Sequence, residues 1–264
     1  MPRGASQAAD IRERTHPPLT ACTAVIFDLD GVVTNTAAVH AAAWKTVFDA
    51  FLAERAEREG GPVVPFDADG DYRRYVDGRD RYDGVATFLA SRGVDIPRGT
   101  PDDPPEAETV CGVGNRKNAA FVAHLDEHGV EAFPSTIALL RALRDRGTPR
   151  ALFSASRNAR PVLRAADAED LFDAIVDGLV AEELGLPGKP DPAILLEAAR
   201  RIDAEPANTA VVEDALAGVR AGRDGGFGLV IGIARGDADP GALAVEGADI
   251  VVSDLADVTL EDHP

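Results

Sequence analysis

From about residue 134 onward, short runs of Val, Ile and Phe alternate with longer stretches in which Ala, Leu and Arg recur at helical spacing. Apolar runs of this kind suit strands buried on both faces, and their alternation with helices predicts an α/β protein with a doubly wound parallel sheet. The expected strands end near Phe27, Phe153, Val176, Val212, Ile233 and Val252. Between about residues 36 and 132 the alternation stops. Helical segments near 37–53, 84–91 and 115–129 are separated there by Gly-, Pro- and Asp-rich connections, which predicts a small α-helical insertion after the first strand. The proline- and acid-rich stretch from Arg98 to Glu108 reads as a surface loop. The expected organisation is a core over 21–35 and 134–264, a helical domain over 36–133 and a loosely ordered extension over 1–20.

The first strand, Ala24-Val25-Ile26-Phe27, runs into Asp28-Leu29-Asp30-Gly31. In an extended chain residues i and i+2 project to the same side, so Asp28 and Asp30 can share a pocket while Leu29 packs away from it. Gly31 then lets the backbone turn sharply. Such a pair also occurs as an N-cap or a turn, so the rest of the chain bears on the choice. An aspartate attacking a phosphate ester meets repulsion between two anions and needs fixed positive charge and a divalent cation. Candidates for both lie downstream: Ser154 after Arg150-Ala151-Leu152-Phe153, Glu213-Asp214 after Thr209-Ala210-Val211-Val212, and Lys189 in Gly188-Lys189-Pro190-Asp191-Pro192. The carboxyl ends of strands gather ligand chemistry in an open α/β sheet, so these residues can converge.

Four motifs in this order, spread over nearly the whole chain, resemble the haloacid dehalogenase superfamily of phosphotransferases, and within it the β-phosphoglucomutase-like group with a helical cap after the first strand. The resemblance implies that Asp28 is the nucleophile that forms an aspartyl phosphate and that Asp30 is general acid and base for a sugar hydroxyl. It implies a hydrogen bond from Ser154 to a phosphoryl oxygen and charge neutralisation by Lys189. Mg²⁺ would be held by Glu213, Asp214, the Asp28 carboxylate and the Asp30 backbone carbonyl, a hard-oxygen set that suits it.

Thr36 opens the first helix of the insertion, and His40 and Trp44 follow at i+4 spacing, on one face. Read alone they are a half-buried histidine and a core tryptophan; the resemblance places them on the helix that contacts the sugar. Gly78-Arg79-Asp80-Arg81 is similar to the cap loop that touches substrate, with Arg81 at the position that holds the nontransferring phosphate. Arg116-Lys117-Asn118 resembles a further cap motif, with Lys117 reaching the cleft. Ser156-Arg157-Asn158 precede a helical stretch and offer hydroxyl, guanidinium and amide donors to a second phosphate. Two positions depart from the pattern: Asp77 and Arg157 each stand in place of a lysine. An acid beside the substrate entrance would weaken sugar-phosphate binding unless Arg79 or Arg81 offsets it.

The formal charge of -18 over 264 residues argues against nucleic acid as partner, because affinity there comes from cationic neutralisation of phosphates. A small phosphorylated sugar must instead be drawn in by local positive charge. Of 27 basic residues only Lys45, Lys117 and Lys189 are lysine; two fall in the motifs, and Lys45 reads as a solvated helix residue. Cys22 and Cys111 are too few and too far apart for a disulfide framework and read as ordinary thiols. The first twenty residues carry no apolar core of an export signal, and no later stretch suits a membrane span, so a cytoplasmic protein is expected, with a monomer as the default. The function expected is conversion of β-glucose 1-phosphate to glucose 6-phosphate, with a sugar-phosphate phosphatase and a noncatalytic sugar-phosphate sensor as alternatives. A dehalogenase is disfavoured, since C–halogen displacement requires neither proton transfer nor Mg²⁺.

Overall fold

The computed structural model describes residues 19–236, 238–258 and 260; the extension expected over residues 1–20 lies, up to residue 18, outside them. Six strands form one sheet: β1 (Ala24–Asp28), β2 (Arg150–Phe153), β3 (Ala174–Val176), β4 (Thr209–Glu213), β5 (Leu229–Ile233) and β6 (Ile250–Val252). They lie in the order β3-β2-β1-β4-β5-β6, and every pairing is parallel. Each strand ends within one residue of the position read from the apolar runs.

Helices cover both faces of the sheet, because the strands alternate their side chains between two apolar layers. Val25, Phe27, Leu152, Val212 and Ile231 pack on one side with α4 (Pro134–Asp145) and α5 (Ala159–Ala165). Ile26, Ala151, Phe153, Val211 and Val230 pack on the other with α7 (Ala193–Arg201) and α8 (Leu216–Asp224). Each Val, Leu, Ile or Phe among them contributes about 1.5–3 kcal/mol by leaving water. Shorter helices α6 (Gly178–Leu184) and α9 (Pro240–Glu246) complete the crossovers.

Between β1 and α4 the chain is helical: α1 (Ala37–Glu59), a π-helical turn over Tyr72–Val76, α2 (Arg81–Ser91) and α3 (Val110–His128). These elements enclose a third apolar cluster that includes Trp44, Phe48, Phe66, Val85, Phe88 and Val110. The helices run longer than the sequence pattern suggests. The Asp80 carboxylate accepts from the Tyr82 and Asp83 amides and starts α2, and Thr109 accepts from Gly112 N–H and starts α3. The Arg98–Glu108 stretch is irregular, and Glu108 at its end accepts from Arg58 of α1 at 2.6 Å. Lys45 is less free than expected: it donates to Asp49 and to the Phe66 carbonyl.

The chain leaves the sheet and returns to it side by side. Thr34 and Ala132 form an antiparallel bridge, Asn35 N–H donates to the Glu131 carbonyl at 2.8 Å, and Phe133 N–H donates to the Val33 carbonyl at 2.9 Å. The strand order reverses at β1, whose neighbours are β2 and β4, so the crevice at their carboxyl ends is the expected place for ligand chemistry. Both cysteines are free thiols, and among the described residues no helix is long and apolar enough to cross a membrane.

Candidate active site

Asp28 is the last residue of β1 and is buried. Lys189, delivered by the loop before α7, donates to Asp28 Oδ1 at 2.6 Å and to Glu213 Oε1 at 2.5 Å, with its ammonium over the Phe153 ring. The other oxygen of Glu213 accepts from the amides of Asp214 and Ala215, so this carboxylate is anchored from both ends. Two glycines make the room. A Cβ on Gly31, whose φ is +82°, would lie 1.8 Å from Asp214 Oδ2, and one on Gly218 of α8 would lie 1.7 Å from Glu213 Oε1.

Three carboxylates, Asp28, Glu213 and Asp214, bring ligand oxygens within 4.8 Å of one another. Burial and then the surrounding carboxylates push Asp214 well above the usual carboxylate range. Asp28 is likewise pushed up, chiefly by burial, against the pull of Lys189. Burial works to lower Lys189, but Asp28 and Glu213 outweigh it and raise it. One ammonium against three acids leaves an excess of negative charge in a dry place. The donor set is all hard oxygen, so the residues fit a divalent cation such as Mg²⁺. The Asp30 side chain stands apart from this cluster, which leaves its backbone carbonyl as the group expected to serve.

That side chain faces the helical insertion. Thr36, at the start of α1, makes no helix cap with its hydroxyl; it donates instead to Asp30 Oδ1. His40 Nε2 stands 3.2 Å from the same oxygen, and Lys117 of α3 meets His40 Nδ1. His40 also stacks on Phe121 with ring centroids 4.0 Å apart. Burial pushes Asp30 up, yet His40, Thr36 and Lys117 together prevail and hold it at about 2. Burial and then the Arg81 charge lower Lys117 to about 7. Trp44 is buried, stacked on Phe48, with the Lys117 ammonium 5.0 Å from its ring.

A second polar junction closes the cleft. Asn118 Oδ1 on α3 accepts from Arg81 of α2 at 2.8 Å and from Asn158 Nδ2, on the core side, at 2.6 Å. Ser154 Oγ accepts from Ser156 N–H at 3.0 Å, and Ser156 Oγ accepts from Asn158 N–H at 3.1 Å. Ser154 is buried behind Ala155 and Ser156 rather than lining the cavity itself. Arg157, expected at a second phosphate, pairs with Glu182 of α6 at 2.6 Å while it lines the cavity.

The cavity between Asp28 and these groups measures about 80 Å³. Its lining includes Asp30, His40, Trp44, Gly78, Arg81, Lys117 and Lys189, and also residues to which the sequence reading gave no role: Tyr72, Val76 and Ala215. Arg79, considered only as an offset to Asp77, lines it too. Tyr72 comes from the π-helical turn and hydrogen-bonds Asp77. Asp77 is pushed up to about 7, first by burial and then by Glu213. The acid that seemed to threaten anion binding is therefore largely neutral below pH 7.

A family model for haloacid dehalogenase-like hydrolases matches residues 22–226. The chain belongs to this family. Within the haloacid dehalogenase-like hydrolases, a β-phosphoglucomutase of Mycobacterium bovis is 47% identical over 237 residues, 89% of this chain and 90% of that protein. A β-phosphoglucomutase of Bacillus subtilis is 34% identical, over 90% of this chain and 92% of its own length. The crystal structure of a Clostridium difficile β-phosphoglucomutase superposes with a TM-score of 0.71 at 26% identity, over 90% of this chain and 93% of that one. The chain is thus an enzyme of the phosphomutase and phosphatase kind on a Rossmann-like sheet.

Proposed function

We propose that this haloacid dehalogenase-like protein is a Mg²⁺-dependent β-phosphoglucomutase, acting as a cytoplasmic monomer on β-glucose 1-phosphate. The observation that carries the reading is the division of labour between two adjacent carboxylates. Asp28 is gripped by Lys189 at the strand end, whereas Asp30 is turned toward Thr36 and His40 of the insertion.

Asp28, carrying the phosphoryl group, donates it to the sugar 6-hydroxyl, and Asp30 takes the hydroxyl proton. The resulting bisphosphate reorients, Asp28 receives the other phosphoryl group and Asp30 returns the proton to the leaving oxygen. A carboxylate held at about 2 is a weak base, but phosphoryl transfer through a loose transition state asks for little base strength. A phosphoryl dianion on Asp28 would raise it further toward proton uptake. Lys189 balances charge as phosphate and Asp28 approach, and Ser156, braced by Ser154 behind it, offers its hydroxyl to the phosphoryl oxygens. Mg²⁺ bound by Asp28, Glu213, Asp214 and the Asp30 carbonyl would supply the remaining charge neutralisation. Arg81, Asn118, Arg157 and Asn158 hold the phosphate not in transfer, while Trp44, His40 and Lys117 border the sugar.

The helical insertion acts here as a cap. A cavity of about 80 Å³ is far below the roughly 300 Å³ at which small-molecule pockets begin, so substrate is admitted only when the insertion swings from the core. Closure then excludes water from the aspartyl phosphate.

The test follows glucose 6-phosphate and free phosphate together, from β-glucose 1-phosphate with Mg²⁺ and a trace of β-glucose 1,6-bisphosphate. Glucose 6-phosphate without matching phosphate is expected; phosphate with free glucose would make the protein a phosphatase. Arg81→Ala should raise KM for β-glucose 1-phosphate by about tenfold or more, the worth of a charge-assisted phosphate contact, while hydrolysis of a small monophosphate changes little. Equal losses on both would remove Arg81 from the second phosphate.

Asp77 supplies a pH test. Between its ordinary 3.8 and about 7 the folded protein holds a proton that the unfolded chain has released, so this group's contribution to stability falls as pH rises through that window. Its charge also appears beside an anionic substrate above pH 7. Asp77→Asn should therefore leave kcat/KM unchanged at about pH 6 and improve it up to about tenfold at pH 8, given Coulomb repulsion at moderate dielectric. A parallel profile for the two enzymes would exclude Asp77 from substrate electrostatics.

A further inference from the structure

Arg235 follows β5 and belongs to none of the four motifs, yet it touches the two segments on which the chemistry turns. Its Nη1 donates to the carbonyl of Gly31, the residue after Asp30. Its guanidinium lies over the ring of Phe133, 3.5 Å from the centroid, where the chain returns from the helical insertion. Nη2 is buried and has no hydrogen-bond partner among the described residues. The nearest opposite charges, Asp254 and Asp214, act on it at a distance rather than through a bond. The carbonyl and the ring, not an ion pair, are what fix this side chain.

Both contacts fall at one junction. Gly31 N–H donates to the Thr34 carbonyl at 2.8 Å, and Phe133 N–H donates to the Val33 carbonyl, so Gly31 and Phe133 sit at the two ends of the crossing between core and insertion. Gly31 also abuts Asp214 so closely that no side chain fits between them. The Gly31 peptide is thus wedged between Asp214 on one side and Arg235 on the other. Arg235 therefore restrains the residue next to Asp30 at its carbonyl, while Asp214 crowds its Cα.

We propose that Arg235 is a positioning residue for phosphoryl transfer: by pinning the Gly31 carbonyl and stacking on Phe133, it holds the loop that carries Asp28 and Asp30 in register with Asp214 while the insertion moves about the adjoining crossing. The inference rests on the phosphoryl-transfer reading, but not on the identity of the sugar. Lysine in its place keeps a donor and a charge but loses the planar face, so it replaces one contact and not the other.

The experiment compares wild type, Arg235→Ala, Arg235→Lys and Phe133→Leu on two substrates, p-nitrophenyl phosphate and β-glucose 1-phosphate, alongside urea melts. Misplacement of a loop by about 1 Å costs about 100-fold, so Arg235→Ala should lose kcat on that scale for both substrates, with KM unchanged. Arg235→Lys and Phe133→Leu should fall between it and wild type. Methylguanidine in solution should restore part of the Arg235→Ala turnover without restoring its melting midpoint. Normal kcat in Arg235→Ala overturns the proposal, as does a loss that methylguanidine leaves untouched and that matches the fraction unfolded. A wild type that cleaves the nitrophenyl ester but leaves β-glucose 1-phosphate unchanged fails the substrate reading alone, and Arg235 is then judged on the ester.

Discussion

Asp28→Asn should lower turnover of β-glucose 1-phosphate by roughly 10⁴-fold or more, the scale seen when a covalent nucleophile is removed, while leaving the fold intact or slightly firmer. Asparagine has the same shape and keeps an oxygen for Lys189. It also removes one buried acid whose charge is resisted by desolvation and by Glu213 and Asp30. Lys189 stays paired with Glu213, so no charge is stranded. Intact-mass analysis after exposure to β-glucose 1,6-bisphosphate should show a phosphoryl adduct on wild type and none on the variant. Residual turnover above about one hundredth of wild type, with an adduct on the variant, would mean that another group is the nucleophile.

Lys189→Met should be costly in a different way. The ammonium is the direct partner of both Asp28 and Glu213, and all three side chains are buried. Breaking such a buried pair from one side destabilises by about 3–5 kcal/mol, because the acids keep their desolvation cost and their mutual repulsion. The fold can relieve this by taking up a proton. In the variant, then, a carboxylate is raised further above its unfolded value, and stability should be greater at low pH and fall as pH rises toward neutrality. Urea melts at acid and neutral pH read this directly, and turnover should drop by about 1,000-fold, the scale of a lost electrostatic stabiliser. A variant equally stable at both pH values would show that losing Lys189 strands no buried acid.

The sheet was readable because its signals are local: each apolar run gives way to a polar residue where the strand leaves the core, and β4 passes directly from Val212 to Glu213. Asp28, Asp30, Glu213 and Asp214 stand out for the same reason, whereas Lys189, in the loop before α7, stands out by its Gly-Lys-Pro-Asp-Pro surroundings and the family resemblance. The helices of the insertion were harder. Gly112 and Gly114 depress helix propensity inside α3, and their cause is tertiary: a Cβ on Gly114 would lie 2.8 Å from the Tyr82 ring, and one on Gly112 would strike the Ala107 carbonyl. The π-helical turn that brings Tyr72 to Asp77 has no periodic signal in Tyr-Arg-Arg-Tyr-Val. Nor does sequence reveal that an acid is pushed up; Asp77 is so because of what surrounds it. Arg235 lies far in sequence from both Gly31 and Phe133, and nothing near it marks the contact.

The scarcity of lysine has a practical side. Of the three amines, Lys45 is tied to Asp49 on the surface and Lys189 is held charged between two acids, while Lys117 is driven down to about 7. Burial is the chief cause of that lowering, so the lowered value belongs to the closed cleft. Lys117 is only 4% exposed. A reagent reaches it only in those moments when the insertion stands away from the sheet. The rate at which this one lysine is acylated is therefore a clock for the opening of the molecule, and a ligand that keeps the cleft shut would stop it.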